Sequence, residues 1–237
     1  MRRQENKFTV SQQWWQWVVS IPTSGNPQFD IDGSLAQTNN NGPVFFVAGN
    51  FGGVPPYNPS ERTFTVPAGK PLFFPVLNSA DFEFRDVRPN CIDDPTYLDP
   101  DHTSLECALS FISPALEPDM VTIHATLDGQ LELLTFFPSH RQTSTSFFDI
   151  DLPIGNVFGK DAGNYPGIAV SDGYWIALDG LSPGRHTLVF GGTDGNGFTL
   201  EVTDTLNVPE PGTLGLLFLG SLAALGYRRF GIGPKRI

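Results

Sequence analysis

The side chains here that could do chemistry are mostly acids. Asp and Glu number 25 against 14 Lys and Arg in 237 residues, a formal net charge of −11. Glycoside hydrolysis needs only two carboxyl groups about 5 to 9 Å apart, one acting as acid and the other as nucleophile or base. In so acidic a chain such a pair arises by chance, and Glu83, Asp86 and Asp149 are the first to inspect. Asp93, Asp94, Asp99 and Asp101 cluster near Cys91 and have the hard oxygen donors calcium prefers. A solvated acidic loop is the plainer reading of the same four residues. Tyr174 and Trp175 are candidate ligand contacts, since aromatic rings facing a cleft would suit a sugar. The cluster Trp14, Trp15 and Trp17 could form a stacking platform for pyranose faces, against the plainer expectation that it packs on the body.

Other chemistries lack their residues. The four histidines, His102, His124, His140 and His186, share no metal-ligand spacing, and His-Glu-x-x-His is absent. Gly180-Leu181-Ser182-Pro183-Gly184 has the Gly-x-Ser-x-Gly spacing but reads as a turn between two expected strands, where a nucleophile elbow joins a strand to a helix, and there is no phosphate loop. Asp30-Ile31-Asp32-Gly33 opens like a calcium loop, but Asn41 stands where the loop's closing glutamate is required, so a turn is expected. His124 and His186 fall in expected strands as packed or solvent-facing members of a sheet. No catalytic residue and no cofactor is assigned, calcium at the acidic loop being the one candidate. So acidic a surface repels nucleic acid and anionic lipid.

The elements that must hold these residues are mainly strands. Thr9 to Ile21 reads as a short helix with Thr9 or Ser11 as N-cap, Pro22 beyond its end, and Val10, Trp14, Trp17, Val18 and Ile21 on one apolar face. Val44 to Gly49 is a continuous apolar run, the mark of a strand buried on both faces. Arg62 to Val66, the turn Pro67-Ala68-Gly69-Lys70 and Pro71 to Leu77 read as strand, tight turn, strand in one hairpin. Met120 to Leu127 alternates, turns at Asp128-Gly129 and returns from Leu131. Thr145 to Ile150, Tyr174 to Leu178, Arg185 to Phe190 and Phe198 to Val208 supply further strands, the last two forming a closing hairpin. Around nine strands with little helix predict an all-β fold, an antiparallel two-sheet β-sandwich of jelly-roll type.

Cys91 and Cys107, with fifteen residues between them, read as one disulfide in an exported protein, worth roughly 3 kcal/mol on the loop-entropy model. They close an acidic excursion in which Asp101 to Ser110 forms a short helix. The expected organisation is an N-terminal helical segment over residues 1–22, a sandwich over 23–208, a tail over 209–230 and a basic extension over 231–237. Without Arg228, Arg229, Lys235, Arg236 and Glu210, 10 basic and 24 acidic residues remain, a net charge of −14. Such a surface suits cations and cationic partners.

The tail is the most specific feature. Pro209-Glu210-Pro211 breaks the chain, Leu214 to Tyr227 is apolar and uncharged, and Arg228-Arg229 stops it. As a transmembrane-like helix, Gly212 to Tyr227 spans roughly 24 Å, slightly under a bilayer's hydrocarbon core, and the arginines can snorkel to cover part of the difference. The positive-inside rule then leaves the body outside. Breaker, span and basic stop together resemble the PEP-CTERM sorting signal, with Pro209, Glu210, Pro211, Arg228 and Arg229 as its marks; Gly231 to Ile237 runs past the usual ending. The resemblance implies recognition by an exosortase, a membrane cysteine protease of Gram-negative exopolysaccharide producers. It also implies removal of the tail as the protein passes from the inner membrane to the cell surface. The stretch from Trp14 through Pro75 resembles an uncharacterised family of secreted bacterial proteins and implies no activity. Such a tail calls for an N-terminal signal peptide, but Met1 to Lys7 lead into no apolar region and Trp14 to Val19 is too short and polar for one. The leader is therefore expected upstream, through a misassigned start or because the sequence begins at the mature part. The resulting expectation is an exported, transiently anchored, non-enzymatic sandwich associated with exopolysaccharide. Its rival is a carbohydrate-active enzyme or glycan-binding module delivered by the same tail.

Overall fold

A computed structural model describes residues 9–50, 59–84, 91, 104–129, 131–132 and 137–210. Helix α1, Val10–Val19, opens with a capping box: the Thr9 hydroxyl accepts from the Gln12 N–H while the Gln12 side chain accepts from the Thr9 N–H. Trp14, Trp17, Val18 and Ile21 are buried as expected; Val10 is 38% exposed, and Trp15 takes its place inside.

Nine strands follow among the described residues: β1 Phe45–Phe46, β2 Ser60–Thr65, β3 Leu72–Phe82, β4 Thr122–Leu127, β5 Leu131–Glu132, β6 Phe148–Leu152, β7 Gly163–Leu178, β8 Gly184–Thr193 and β9 Thr199–Val208. A second helix, α2, covers Ser104–Ser110. The strands form a four-stranded sheet ordered β1-β3-β7-β6 and a five-stranded sheet ordered β2-β9-β8-β4-β5. The fold is an all-β sandwich, with a helix packed on it as a third layer.

Side-chain alternation explains the layers. On β3 and β7, Leu72, Phe74, Tyr174 and Ile176 face the five-stranded sheet, while Phe73 and Trp175 join the tryptophans of α1 in a second core. The four-stranded sheet is dry on both faces there, so β3 reads as a continuous apolar run. The five-stranded sheet has one wet face, and β9 alternates buried with half-exposed residues along most of its length.

Two expectations about pairing need correction. β2 and β3 do not form a hairpin: β2 pairs with β9 and β3 with β1 and β7, and Val66 to Pro71 crosses from one sheet to the other. Their burial differs accordingly, alternating along β2 and unbroken over Leu72 to Leu77. Nor is the sandwich antiparallel throughout, because β1 lies parallel to β3 and β2 parallel to β9. A connection that changes sheets can enter the second sheet in the same direction as its new neighbour, which a tight hairpin cannot. The other turns match. Asp128 and Gly129 both take positive φ, 56° and 66°, and β4 pairs with β5. β8 and β9 form one long hairpin from Gly184↔Val208 to Thr193↔Thr199.

Beneath β2 and β9 lies a buried ion pair. Arg62 donates from Nε and Nη2 to the two carboxylate oxygens of Asp204, each at 2.7 Å, and from Nη2 to the Ala48 carbonyl. Burial pushes the Asp204 carboxyl above its usual range, and the guanidinium pulls the other way. The pair ties the parallel edge strand to its neighbour and to the chain leaving β1.

Candidate functional site

Two cavities flank an aromatic wall on the helix side of the four-stranded sheet. The first, about 300 Å³, is lined by Trp14 and Trp15 of α1, Asn78, Ser79 and Phe82 of β3, and Phe158 of the β6–β7 connection, among others. The rings lock one another: Trp15 meets Trp14 edge-on at 5.1 Å and Phe82 at 5.8 Å, while Phe158 lies 4.7 Å from Phe82. Asn78 owes its place to a glycine on the neighbouring strand. It pairs with Gly173, where a Cβ would approach the Asn78 Cβ to 2.6 Å.

Polar partners in this region are distributed unevenly. The Trp14 indole donates to the Val47 carbonyl and that of Trp17 to the Thr38 carbonyl, both at 3.0 Å. The Trp15 Nε1 and Asn78 Nδ2 groups are enclosed yet have no hydrogen-bond partner, and both residues line the first cavity. The Trp175 Nε1 is likewise unpaired.

The second cavity, about 430 Å³, is lined by Glu83, Phe84, Lys160, Asp161, Tyr165, Pro166 and Ile168. Phe158 stands 5.2 Å from Phe84 and so separates the two spaces. Lys160 lies over the Phe84 ring at 5.2 Å, and the Tyr165 hydroxyl donates to the Asp161 carbonyl.

The acids foreseen from sequence are distributed as follows. Glu83 is 1% exposed, and its Oε2 accepts from the Cys91 N–H at 2.8 Å, fastening the disulfide loop to the end of β3. Asp149, on β6, accepts from the Gly167 N–H at 2.8 Å. Phe82 and Phe148 both pair with Ala169, so β7 runs between β6, which carries Asp149, and the end of β3, which Glu83 directly follows, and their backbones lie about 10 Å apart. Asp86 lies outside the described residues, as do the calcium candidates Asp93, Asp94, Asp99 and Asp101. Among the described residues no group of three or more His, Cys, Asp or Glu could hold a metal ion. The acid that lines a cavity with Glu83 is Asp161, which lies in the connection between β6 and β7 and carries no motif that marks it in the sequence.

Tyr174 and Trp175 are core residues, 0% and 2% exposed, a correction to their expected place on a cleft. β7 is covered on both faces, so alternation turns one ring into each core. The Tyr174 hydroxyl donates to the Leu116 carbonyl, and Trp175 stacks on Phe73 at 5.3 Å. The tryptophans of α1 are likewise buried and offer no open platform.

Cys91 and Cys107 are joined in a disulfide with Cα atoms 5.7 Å apart, packed with Ala108, Ile112 and Val170. Asp30-Ile31-Asp32-Gly33 is a turn: Asp30 accepts from the N–H groups of Asp32, Gly33 and Leu35. The strand histidines meet carboxylates on the five-stranded sheet, His124 with Glu201 at 3.1 Å and His186 with Asp128 at 2.9 Å. The Asp128 hydrogen bond holds the His186 imidazole above its ordinary range and, reciprocally, holds the Asp128 carboxyl below its own. Arg141 is clamped between Asp172, at 2.7 Å, and Glu117, at 2.9 Å.

The last strand ends at Val208, and Pro209 and Glu210 are exposed just beyond it. The family model for the PEP-CTERM protein-sorting motif matches residues 207–229. The chain carries a PEP-CTERM sorting motif. This motif marks an exported protein sorted to the cell surface and implies processing by an exosortase. It contains the Pro209, Glu210, Pro211, Arg228 and Arg229 read from sequence. From residue 211 onward, the expected apolar helix included, the motif lies outside the described residues. No helix among the described residues is long and apolar enough to cross a membrane. No curated protein and no solved structure matches the chain.

Proposed function

We propose that this is a non-enzymatic sandwich protein of the exopolysaccharide matrix, held briefly in the inner membrane by the apolar helix of its tail and freed by cleavage near Pro209-Glu210-Pro211. One observation carries the reading: the sorting motif begins where β9 ends, with Pro209 and Glu210 exposed directly after the fold closes. A protease could remove everything beyond Val208 without taking a strand from either sheet. The division into an N-terminal helical segment over 1–22, a sandwich over 23–208, the signal over 209–230 and a basic extension over 231–237 belongs to this proposal. Calcium at Asp93, Asp94, Asp99 and Asp101 is a subsidiary part of it, and equilibrium dialysis against calcium checks it.

The sorting half is tested by expressing the full chain and a variant lacking residues 209–237 in a host that has an exosortase. The full chain should reach the cell surface and the variant should not. Equal surface amounts of the two would refute this half.

A second reading, a glycoside hydrolase, draws support from Glu83 and Asp161 lining one cavity. Hydrolysis of a polysaccharide by the wild type but not by Asp161→Asn would establish it. No hydrolysis by either leaves the non-enzymatic reading standing.

A further inference from the structure

We infer that the end of the sandwich from which the tail leaves rests on the lipid headgroups of the membrane while the tail is inserted, so that the body stands end-on over the bilayer. The inference rests on the anchoring reading above and adds to it the face that meets lipid.

Strand register defines that face. Val208 pairs with Gly184, so β9 ends where β8 begins and the tail leaves beside the β7–β8 connection. The Val66 to Pro71 crossing lies against this connection, since a Cβ on Gly180 would approach the Gly69 backbone to 2.5 Å. His186 joins the connection to the turn after β4: its Nε2 donates to the Ser182 carbonyl and its Nδ1 meets the Asp128 carboxylate, both at 2.9 Å. Lys70 Nζ donates to the Asn40 carbonyl at 2.6 Å and brings in the chain before β1. These segments form one connected base, with Ala68, Gly129, Ser182 and Pro209 exposed on it.

Covalent geometry sets the distance. Val208 and Gly212 are four residues apart in the chain and can separate by at most about 14 Å. Gly212 begins the apolar helix of the tail, and the headgroup layer outside the hydrocarbon is roughly 5–8 Å thick. Even with the link fully stretched, the point where β9 ends lies no more than roughly 6–9 Å above the headgroups. A helix slightly shorter than the hydrocarbon core draws the link further in.

Charge sets the orientation. The body has 10 basic and 24 acidic residues, and anionic lipid repels so acidic a surface. The base segments and the start of β8 hold Lys70 and Arg185 against Asp128 and Asp179, a balance of zero, so the whole surplus of acid lies on the rest of the body. A sandwich lying on its side would press acid onto the leaflet; one standing on its base does not. The base carries none of the large exposed hydrophobic side chains found among the described residues, which keeps it at the headgroups and out of the hydrocarbon. The Pro209-Glu210-Pro211 breaker is then held in the gap between fold and bilayer, and cutting it frees a body that the leaflet repels.

The test places the full chain in vesicles of phosphatidylethanolamine and phosphatidylglycerol, with a single fluorophore on an introduced cysteine. Cys91 and Cys107 are joined to each other, so only the new thiol reacts. Ala68→Cys and Ser182→Cys report on the base, Asn196→Cys on the opposite end of the β8–β9 hairpin, and Ser221→Cys on the apolar run. Spin labels on the headgroups should remove most of the fluorescence of Ala68→Cys and Ser182→Cys and leave that of Asn196→Cys unchanged, while acyl-chain labels quench Ser221→Cys. Quenching at Ser221→Cys with none at the base would overturn the proposal and leave the anchor standing; a base met only by the protease gives this result. Equal quenching at Asn196→Cys and at the base would also overturn it, because the body would then lie on its side. No quenching at Ser221→Cys would remove the inserted helix, and this proposal with it.

Discussion

The two sheets of this sandwich solve burial differently. The five-stranded sheet is one-sided: β2 and most of β9 alternate, the inner residues fill the central core, and the other face carries His124 with Glu201. The four-stranded sheet is covered twice, by its partner sheet and by α1, so its strands are apolar on both faces where α1 lies. A one-sided sheet can place ionisable groups such as His124 and Glu201 in water, where they cost little, and here it buries one pair, Arg62 with Asp204, on its inner face. A two-sided sheet has no such outlet where it is covered, and both cavities lie on its helix side.

The largest expected effect breaks the outer layer of the two-sided sheet. Trp14→Ala removes a fully buried ring and leaves the Val47 carbonyl without its donor, so it should cost about 5 kcal/mol in urea unfolding. The matched change on the wet face, Thr203→Ala, should stay within about 0.5 kcal/mol. Equal losses would mean that α1 is an ornament on the sheet and not part of its core.

Next comes the ion pair at the parallel edge of the one-sided sheet. Arg62→Met leaves Asp204 buried without a counter-charge and should cost about 4 kcal/mol, while Arg62→Met with Asp204→Leu should recover most of that loss. No recovery in the double variant would place the worth of Arg62 in its bond to the Ala48 carbonyl instead.

The smallest effect is on the surface of the one-sided sheet. His186 has a raised pKa when folded, so its share of stability is full below about 6.5 and is lost as pH rises through the folded value. Asp128 has a lowered one, so its share is present above about 4 and is lost as pH falls through the folded value. The pair therefore helps most in mildly acid solution. Asp128 is half-exposed, which limits the contribution to about 0.5 kcal/mol after solvent screening. The difference in melting temperature between wild type and His186→Gln should be largest near pH 5 to 6 and should shrink on either side; a flat difference from pH 4 to 9 would remove the pair from the stability of the fold.

The same contrast explains what the sequence disclosed. The one-sided sheet announces itself: alternation locates β9, Asp128-Gly129 locates a turn, and the hairpin of β8 with β9 follows from neighbouring strands. The helix α1 was legible from its cap and spacing. The two-sided sheet conceals its topology, since a run such as Leu72-Phe73-Phe74 shows burial on both sides without naming a neighbour. Tyr174 and Trp175 looked like ligand contacts because adjacent aromatic rings carry no label for a strand covered twice. The parallel pairing of β2 with β9 joins Ser60 to Val202, and nothing local to either residue signals it. The cavity wall was half visible, in the tryptophans; Asn78 and Phe158 come from distant segments and have no motif.

The fate of the tail is the most direct test of the central claim that the exposed breaker after β9 is a cleavage region. Protein recovered from the surface of exosortase-positive cells should be analysed by intact mass after reduction. The expected mass corresponds to a C-terminus close to Pro209-Glu210-Pro211, with the apolar run and the arginines gone. A surface-recovered protein that still ends at Ile237 would contradict it.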